Sequence, residues 1–311
     1  MTKALVATLA ATLFASTAAA ATEVQSCNRT VTFDAPPERA VSNDVNLTEM
    51  MLVLDLTDRM VGYTGISGWN KLDETMREGL SELPQLAPKY PSKEVLIGAD
   101  ADFYFAGWNY GMKVGGDVTP ETLAPFGIQV YELTESCTHI MEKGKASIED
   151  MYADLMNLGR IFGVEDRATE LVDSYKADLT VFSGTLDISD PLRVFVYDSG
   201  EDAPFTSGRY GMPTALIEAA GGVNIMEDFE KSWATVTWEE VVERNPEVIV
   251  IVNYGEVTAE QKRDFMMTNP AFANLDAVKN DRFVTLEYVE ATPGPRNIQA
   301  IKTLASAFWA E

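Results

Sequence analysis

The longest stretch with a helical pattern covers residues 147–185, SIEDMYADLMNLGRIFGVEDRATELVDSYKADLTVFSGT. Ser147 and Asp150 resemble a capping box, with Asp in place of the usual Glu, and Gly163 is typical of a helix end. Apolar residues recur on one face before Gly163, and a second apolar stripe begins at Ala168. The pattern therefore predicts two consecutive helices.

Short apolar strands alternate with helices on both sides of this stretch, as they do in proteins with parallel sheets. The runs 103–106 and 248–252 are continuously apolar, which predicts strands that are covered on both faces. We therefore interpret the helical stretch as a connector between two α/β lobes. A crossover helix within one large domain is the alternative.

The predicted fold class is α/β, with two Rossmann-like lobes joined by one long interlobe helix. A chain of 311 residues is long enough for two domains of ordinary size. The predicted divisions are a signal peptide, an N-terminal lobe, the interlobe helix and a C-terminal lobe, at residues 1–21, 22–164, 165–186 and 187–311.

The first residues have the features of a secretory signal peptide. Lys3 makes a short basic start, residues 4–14 are apolar but too few to span a bilayer, and residues 16–20 are small. We therefore expect an exported and soluble protein, which is periplasmic or extracellular if the chain is bacterial.

Acidic residues outnumber basic ones by two to one, with 48 Asp and Glu against 24 Lys and Arg and a net charge of −24. Cleavage of the signal peptide would remove Lys3 and make the chain one unit more negative. Such a charge repels nucleic acid and anionic lipid, so neither is an expected partner. It favours solubility and is compatible with cationic or neutral ligands.

The two cysteines, Cys27 and Cys137, are an even number in a chain that is expected in an oxidising compartment. We predict that they form a disulfide, which would stabilise the first lobe by roughly 4–5 kcal/mol in the chain-entropy model. The alternative is a lipid-modified Cys27. It does not fit, because Glu23 and Gln25 interrupt the apolar approach that a lipoprotein signal needs.

The sequence lacks the patterns that are typical of catalytic, cofactor and metal sites. His139 is the only histidine, so a histidine-rich metal centre is excluded and a Ser-His-Asp triad would have to use that residue. We interpret His139 as a surface or packed histidine. Neither a phosphate-binding glycine loop nor a paired-cysteine zinc pattern occurs. We expect no catalytic residue, no cofactor and no bound metal, and a secreted hydrolase with two cleft carboxylates is the alternative.

Aromatic and polar residues cluster in the turns that follow strands. Ligands of open α/β sheets bind at the carboxyl ends of the strands. Two lobes that face each other across such turns would enclose an aromatic-lined cleft. The predicted ligand-binding residues are Asn43, Asp44, Trp69, Trp108, Tyr110, Glu201, Tyr210, Trp233, Tyr254, Tyr288 and Arg296.

Several segments, in their order and spacing, resemble the substrate-binding proteins of bacterial ABC importers for iron–siderophores, haem and vitamin B12. They are residues 31–41 (VTFDAPPERAV), 48–62 (TEMMLVLDLTDRMVG), 148–163, 219–224 (AAGGVN) and 236–241 (VTWEEV). The resemblance covers nearly the whole chain after the signal peptide.

This resemblance implies two rigid lobes with a small-molecule ligand between them and only a small closure. It also implies that one glutamate on each lobe docks onto arginines of the membrane permease, and the matching positions are Glu94 and Glu239. Solvated carboxylates at helix starts are the alternative for both. We expect a monomer that delivers a metal chelate to the permease, and signalling to a receptor is a further alternative.

The resemblance leaves the ligand itself open. Zinc and manganese relatives need histidine clusters, which this chain lacks, and anionic chelates need several arginines. Arg209 and Arg296 stand in turns beside Glu201, Asp202 and Glu290. We therefore expect a neutral or cationic chelate, such as a hydroxamate siderophore. Cobalamin is the next candidate, followed by haem held by a tyrosine.

Overall fold

The computed structural model describes residues 21–183 and 190–309. The predicted signal peptide, except for its last residue, lies outside these ranges, as do residues 184–186 at the end of the predicted interlobe helix. Within the described part of the chain, no helix is both long and apolar enough to cross a membrane.

The elements before residue 163 form the first lobe. Its strands are β1 Thr22–Ser26, β2 Arg29–Phe33, β3 Ala40–Asn43, β4 Met60–Thr64, β5 Gln85–Ala87, β6 Phe103–Trp108, β7 Gly111–Met112 and β8 Gln129–Glu132. Its α-helices are α1 Val45–Val53, α2 Glu74–Leu80, α3 Lys93–Gly98, α4 Pro120–Leu123 and α5 Ile148–Phe162.

The first sheet is parallel and has the order β5-β4-β3-β6, with β7 and β8 both paired to β6. Strands β1 and β2 form a separate antiparallel hairpin. All six residues of β6 are buried, which confirms the prediction of a strand that is covered on both faces.

Helix α6 Glu165–Ser183 comes next, and the remaining elements form the second lobe. The strands of this lobe are β9 Leu192–Tyr197, β10 Phe205–Ser207, β11 Gly222–Asn224, β12 Trp233–Thr235, β13 Val248–Asn253 and β14 Phe283–Glu287. Its helices are α7 Met212–Ala219, α8 Trp238–Arg244, α9 Ala259–Thr268, α10 Asp276–Lys279, α11 Tyr288–Ala291 and α12 Asn297–Phe308.

The second sheet is also parallel, with the order β11-β9-β13-β14. The short strands β10 and β12 form an antiparallel ribbon beside it. The predicted α/β architecture with parallel sheets is therefore confirmed.

The predicted pair of consecutive helices is present. Ser147 caps α5 by accepting a hydrogen bond from the backbone N–H of Glu149, and Gly163 ends the helix with a positive φ of 70°. Helix α6 then contacts both lobes. Near its start, the Nε atom of Arg167 donates to the carbonyl of Val53 in α1 over 3.1 Å. Further along, Asp178 accepts from Lys302 in α12 over 2.7 Å.

A disulfide joins Cys27, which follows β1, to Cys137 in the 3-10 helix Thr134–His139. The predicted pairing is therefore confirmed. The bond ties the N-terminal hairpin to the segment that follows β8, across a sequence separation of 110 residues.

Direct contacts between the lobes include two clusters that we call seams. The first, the Arg296 seam, consists of Arg296, Glu49, Asp73, Asn46 and Pro293. The Nε atom of Arg296 lies 2.7 Å from Oε1 of Glu49, and its NH1 group pairs with Asp73. Asn46 donates from Nδ2 to the carbonyl of Pro293 over 2.8 Å. Each contact joins a residue of the first lobe to one that follows β14.

The second seam, the Glu135 seam, consists of Glu135, Met212, Lys145, Glu218 and Glu227. Oε1 of the buried Glu135 accepts a hydrogen bond of 2.9 Å from the backbone N–H of Met212, the first residue of α7. Because the N-cap residue of α7 is a glycine, the carboxylate of the first lobe takes over a capping role for a helix of the second. Lys145 pairs with Glu227 at 2.7 Å and with Glu218 at 3.1 Å.

Candidate functional site

A cleft of about 840 Å³ lies between the lobes, at the carboxyl ends of strands from both sheets. Its lining combines residues that follow β3, β4, β5, β6 and β13 with the β10–β12 ribbon and the start of α11. Of the predicted ligand-binding residues, Asp44, Trp69, Tyr110, Trp233, Tyr254 and Tyr288 line it.

Asp44 lies at the base of the cleft and is fully engaged in hydrogen bonds. Its Oδ1 accepts from the backbone N–H of Val45 over 2.7 Å and from Nδ2 of Asn70 over 3.1 Å. Its Oδ2 accepts from the hydroxyl of Tyr288 over 2.7 Å, so this bond crosses between the lobes. Burial raises the pKa of Asp44 to about 6, and the bonds from Tyr288, Val45 and Asn70 oppose this shift.

Aromatic rings form two groups on the cleft wall. Tyr254 stacks on Tyr288 with ring centroids 4.4 Å apart, and Trp69 meets Tyr254 edge-on at 6.1 Å. Phe205 and Trp233, on the β10–β12 ribbon, stack at 5.7 Å with an interplanar angle of 20°. Trp69 is half-exposed, so the first group reaches the mouth of the cleft. These faces can pack against a large, flat or apolar ligand surface.

Tyr110 connects the cleft to the Glu135 seam. Its ring lines the cleft, and the charge of Glu135 acts on its hydroxyl. Burial, followed by the charge of Glu135, raises the pKa of Tyr110 well above its ordinary value. Burial also raises the pKa of Glu135 to about 8, against the lowering effect of the Met212 N–H.

Several cleft residues were not predicted from the sequence. Lys113 places its Nζ atom 5.9 Å from the ring centroid of Tyr90, whose hydroxyl donates to the carbonyl of Asn109. The Nδ2 atom of Asn109 lies 3.2 Å from Nε2 of His139. Lys89 precedes Tyr90 and also lines the cleft. The sequence signal for Lys89 and Tyr90 was the strand β5, which was too short to be recognised, whereas Asn109 and Lys113 follow β6, which was recognised.

His139 itself has a position that the sequence did not indicate. It was interpreted as a surface or packed residue, and the structure places it on the cleft wall. Burial lowers its pKa below the ordinary value, and the nearby positive charge of Lys231 lowers it further.

Two predicted ligand-binding residues are buried away from the cleft lining. Asn43 lies beneath its base, where its Oδ1 accepts from the hydroxyl of Thr64 over 2.9 Å. Trp108 ends β6 and donates from Nε1 to Oε1 of the buried Glu132 over 2.9 Å. Its ring therefore packs within the first lobe, although Tyr110, two residues later, reaches the cleft.

Three further predicted residues also lie outside the lining. Glu201 is exposed, and its carbonyl accepts from Nε1 of Trp238 over 2.7 Å. Tyr210 donates its backbone N–H to the carbonyl of Lys231 over 3.1 Å. Arg296 belongs to the seam with Glu49 and Asp73, so its guanidinium is already neutralised.

The expectation of a neutral or cationic ligand depended on charged turn residues that do not line the cleft. Among the described residues, the cleft lining includes none of the residues on which it depended, which are Arg209, Arg296, Glu201, Asp202 and Glu290. The NH1 group of Arg209 instead lies 3.6 Å from Oε1 of Glu230. The charged lining residues are Asp44, Asp198, Lys89 and Lys113.

Glu94 and Glu239 are each the second residue of a short helix, one in each lobe. Glu94 lies in the first turn of α3 and Glu239 in the first turn of α8, and both side chains are exposed. The hydrogen bond with Ser92 lowers the pKa of Glu94. Both carboxylates are therefore accessible to a partner.

The sequence profile of a family described as periplasmic binding protein matches residues 41–289. The chain belongs to this family. Its periplasmic-binding-protein fold is similar to that of a periplasmic binding protein from Veillonella parvula, with 28% identity, a TM-score of 0.80, and coverage of 92% of this chain and 97% of that one. The chain is also similar to the structure of an ABC-type Fe3+-hydroxamate transport system from Saccharomonospora viridis. The two are 25% identical with a TM-score of 0.78, and the match covers 93% of this chain and 99% of that one.

Relatives in the periplasmic binding protein family extend over most of the chain. An uncharacterized ABC transporter substrate-binding lipoprotein, YvrC, of Bacillus subtilis is 24% identical over 91% of this chain and 83% of its own. A cobalamin-binding protein of Halobacterium salinarum is 22% identical over 92% of this chain and 73% of its own. In the residues that the structure describes, no three His, Cys, Asp or Glu side chains are grouped as metal ligands.

Proposed function

We propose that the protein is an exported solute-binding protein that captures an iron-siderophore-type metal chelate between its lobes and delivers it to an ABC importer. The observation that carries this proposal is the aromatic-lined cleft between two parallel-sheet lobes. Its volume of about 840 Å³ lies in the range of small-molecule sites. The YvrC relative is named an ABC transporter substrate-binding lipoprotein, which supports export and transport.

The Phe205–Trp233 and Tyr254–Tyr288 stacks supply the contact surface for the organic shell of such a chelate. Aromatic rings offer large apolar area at low conformational cost, which suits a bulky ligand that must be released again. We infer that the protein acts by binding rather than by catalysis, because its family consists of binding proteins.

Delivery requires a surface that the permease can recognise, and we assign this role to Glu94 and Glu239. Each is an exposed glutamate in the first turn of a short helix, one on each lobe. Two such carboxylates can pair with basic pockets on a partner and set its orientation.

Cobalamin is the second candidate ligand. The relatives that favour it are the cobalamin-binding protein of Halobacterium salinarum and a vitamin B12-binding protein of Yersinia pestis, which is 24% identical over 69% of this chain. A corrin ring is large and flat, so the same aromatic stacks would serve it.

A thermal-shift screen of the exported chain tests the ligand class, with a ferric trihydroxamate, a ferric catecholate, ferric citrate, haem and cobalamin as probes. At a hundredfold excess over Kd, a ligand adds about 2.7 kcal/mol to the free energy of unfolding. The double variant Phe205→Ala/Trp233→Ala should lose most of the shift. Phe126→Ala, at an exposed ring outside the cleft lining, should keep it. No shift with any probe would contradict the proposed function.

Uptake assays with the cognate permease test docking. Glu94→Lys/Glu239→Lys should abolish uptake and leave ligand affinity unchanged. The matched control is Glu121→Lys/Glu260→Lys, which reverses two exposed glutamates in the first turns of α4 and α9. Equal uptake by both double variants would show that the docking assignment is wrong.

A further inference from the structure

Three lysines near the cleft have no carboxylate partner among the described residues: Lys89, Lys113 and Lys231. Acids outnumber bases two to one in this chain. Five other described lysines have a carboxylate within 4.0 Å, namely Lys143, Lys145, Lys176, Lys279 and Lys302. Lys71 and Lys262 donate to an amide and to backbone carbonyls instead, and Lys93 also has no carboxylate partner among the described residues. We call Lys89, Lys113 and Lys231 the basic rim.

The basic rim contains contributions from both lobes. Lys89 and Lys113 line the cleft on the side of the first lobe, with Lys113 over the ring of Tyr90. Lys231 belongs to the second lobe, and its charge is close enough to His139 to lower the pKa of that cleft residue. All three lysines are solvent-exposed and therefore accessible to a ligand.

The two acidic lining residues do not neutralise this rim. Asp44 is 7% exposed and engaged with Val45, Asn70 and Tyr288. Asp198 is 8% exposed and accepts from the hydroxyl of Ser199 over 2.8 Å. Both carboxylates are buried, whereas the three lysines are exposed. The charged groups that are accessible to a ligand in the cleft are therefore the lysines.

We propose that the basic rim binds an acidic group of the ligand, either a carboxylate or a phosphate, while the body of the ligand packs against the Phe205–Trp233 stack. This inference rests on the proposed function and specifies the ligand further. The lysines supply positive charge at one side of the cleft, and the stacked rings supply an apolar face at another. The ligand is therefore amphipathic and carries at least one anionic substituent.

The test measures Kd by titration calorimetry for the five probes of the thermal-shift screen, with the wild type and two double variants. Lys89→Gln/Lys113→Gln removes two charges from the rim. Lys93→Gln/Lys279→Gln removes two charges outside the cleft lining and is the matched control. Ferric citrate and haem carry carboxylates, cobalamin carries a phosphodiester, and the ferric catecholate and trihydroxamate carry neither group, so the probes distinguish the two sources of negative charge.

We expect an acidic probe to bind the wild type, the rim variant to bind it on the order of tenfold more weakly, and the control to bind within about twofold of wild type. Added salt should reduce the difference in Kd between the wild type and the rim variant, because salt screens the charges of exposed lysines. Binding of only the ferric trihydroxamate or the ferric catecholate would overturn this inference and leave the proposed function intact. Equal affinity of the rim variant and wild type for a probe with a carboxylate or a phosphate would do the same. Binding of none of the probes would overturn both.

Discussion

The Arg296 seam and the Glu135 seam both place a largely buried carboxylate of the first lobe against the second lobe, yet they treat it differently. At the Arg296 seam, Glu49 faces a guanidinium at 2.7 Å. At the Glu135 seam, Oε1 of the carboxyl group accepts from the N–H of Met212, and Oε2 has no hydrogen-bond partner among the described residues. Burial raises the pKa of both groups, but only Glu49 has a full positive charge in direct contact to oppose it.

This difference shows that two contacts with the same geometric role can respond differently to pH. The Arg296 seam is an ion pair, and the guanidinium keeps its charge at any pH at which proteins fold. The Glu135 seam depends on a carboxyl group whose pKa of about 8 lies near neutrality. The first seam therefore provides constant attachment, and the second is sensitive to proton concentration.

The largest effect is expected from Arg296→Ala. The substitution leaves Glu49 without its counterion, and Oε2 of Glu49 already has no hydrogen-bond partner among the described residues. Loss of one member of a buried pair costs about 3–5 kcal/mol, and this pair, being partly exposed, should fall near the lower end. Urea unfolding measures the loss. Arg263→Ala breaks the exposed pair with Asp281 and should cost less than about 1 kcal/mol. Equal losses would remove the basis of the comparison.

The next largest effect is expected from the pH dependence of Glu135→Gln. The folded protein keeps the proton of Glu135 up to about pH 8, whereas an unfolded chain releases it near 4.5. The wild type therefore binds more protons when folded, and its stability falls as pH rises through this window. The free energy of unfolding of the variant should not show this contribution. Between pH 5 and pH 8 it should therefore decrease less than that of the wild type, by on the order of a few kcal/mol.

Unfolding by urea at pH 5 and pH 8 gives this difference directly. Glutamine preserves an acceptor for the Met212 N–H, so the variant isolates the charge. Other buried acids, such as Asp154 with a pKa of about 7, titrate in both proteins and cancel in the subtraction. Parallel pH profiles for wild type and variant would show that Glu135 is not the sensitive group.

A smaller effect is expected from Tyr288→Phe, which removes the bond across the lobes to Asp44. Two other hydrogen bonds to the carboxylate remain, so the cost should be about 1 kcal/mol. The pKa of Asp44 should rise above about 6, because the Tyr288 bond lowers it. Carbon-13 NMR of the carboxyl group measures the titration. An unchanged pKa would mean that the bond contributes nothing to the interface.

The smallest effect is expected from Lys145→Ala at the Glu135 seam. Its partners Glu218 and Glu227 are exposed, and screened surface pairs contribute less than about 1 kcal/mol. Thermal unfolding at low and high salt should show a loss only at low salt. A loss as large as that of Arg296→Ala would mean that the second seam is held by this lysine rather than by Glu135.

Much of the fold was predictable because its signals are local. Ser147 and Gly163 bound α5 through backbone geometry that depends on residues a few positions apart. The apolar run of β13 shows burial directly. The ribbon of β10 and β12 was missed, because two strands of three residues each are too short for a recognisable alternation.

The candidate site was only partly predictable for the same reason. Asp44, Trp69 and Tyr254 follow strands that were recognised, so their position at the cleft could be inferred. Lys89 follows the three-residue strand β5, and nothing in its neighbourhood distinguishes it from a solvated lysine. Arg296 was placed at the ligand because its turn was identified correctly, but its partner Glu49 is 247 residues away in the chain. Pairings over such separations leave no local pattern.

The order of the sheets along the chain has a consequence for synthesis. Every described strand of the first sheet precedes α6, and every described strand of the second sheet follows it. The first lobe can therefore fold and form its disulfide while the second is still emerging, since domains generally fold as units from the N-terminus. Until the second lobe is in place, Glu49 lacks the guanidinium of Arg296 and Glu135 lacks the N–H of Met212. Docking of the second lobe supplies Glu49 with its counterion Arg296. It also completes the burial that raises the pKa of Glu135.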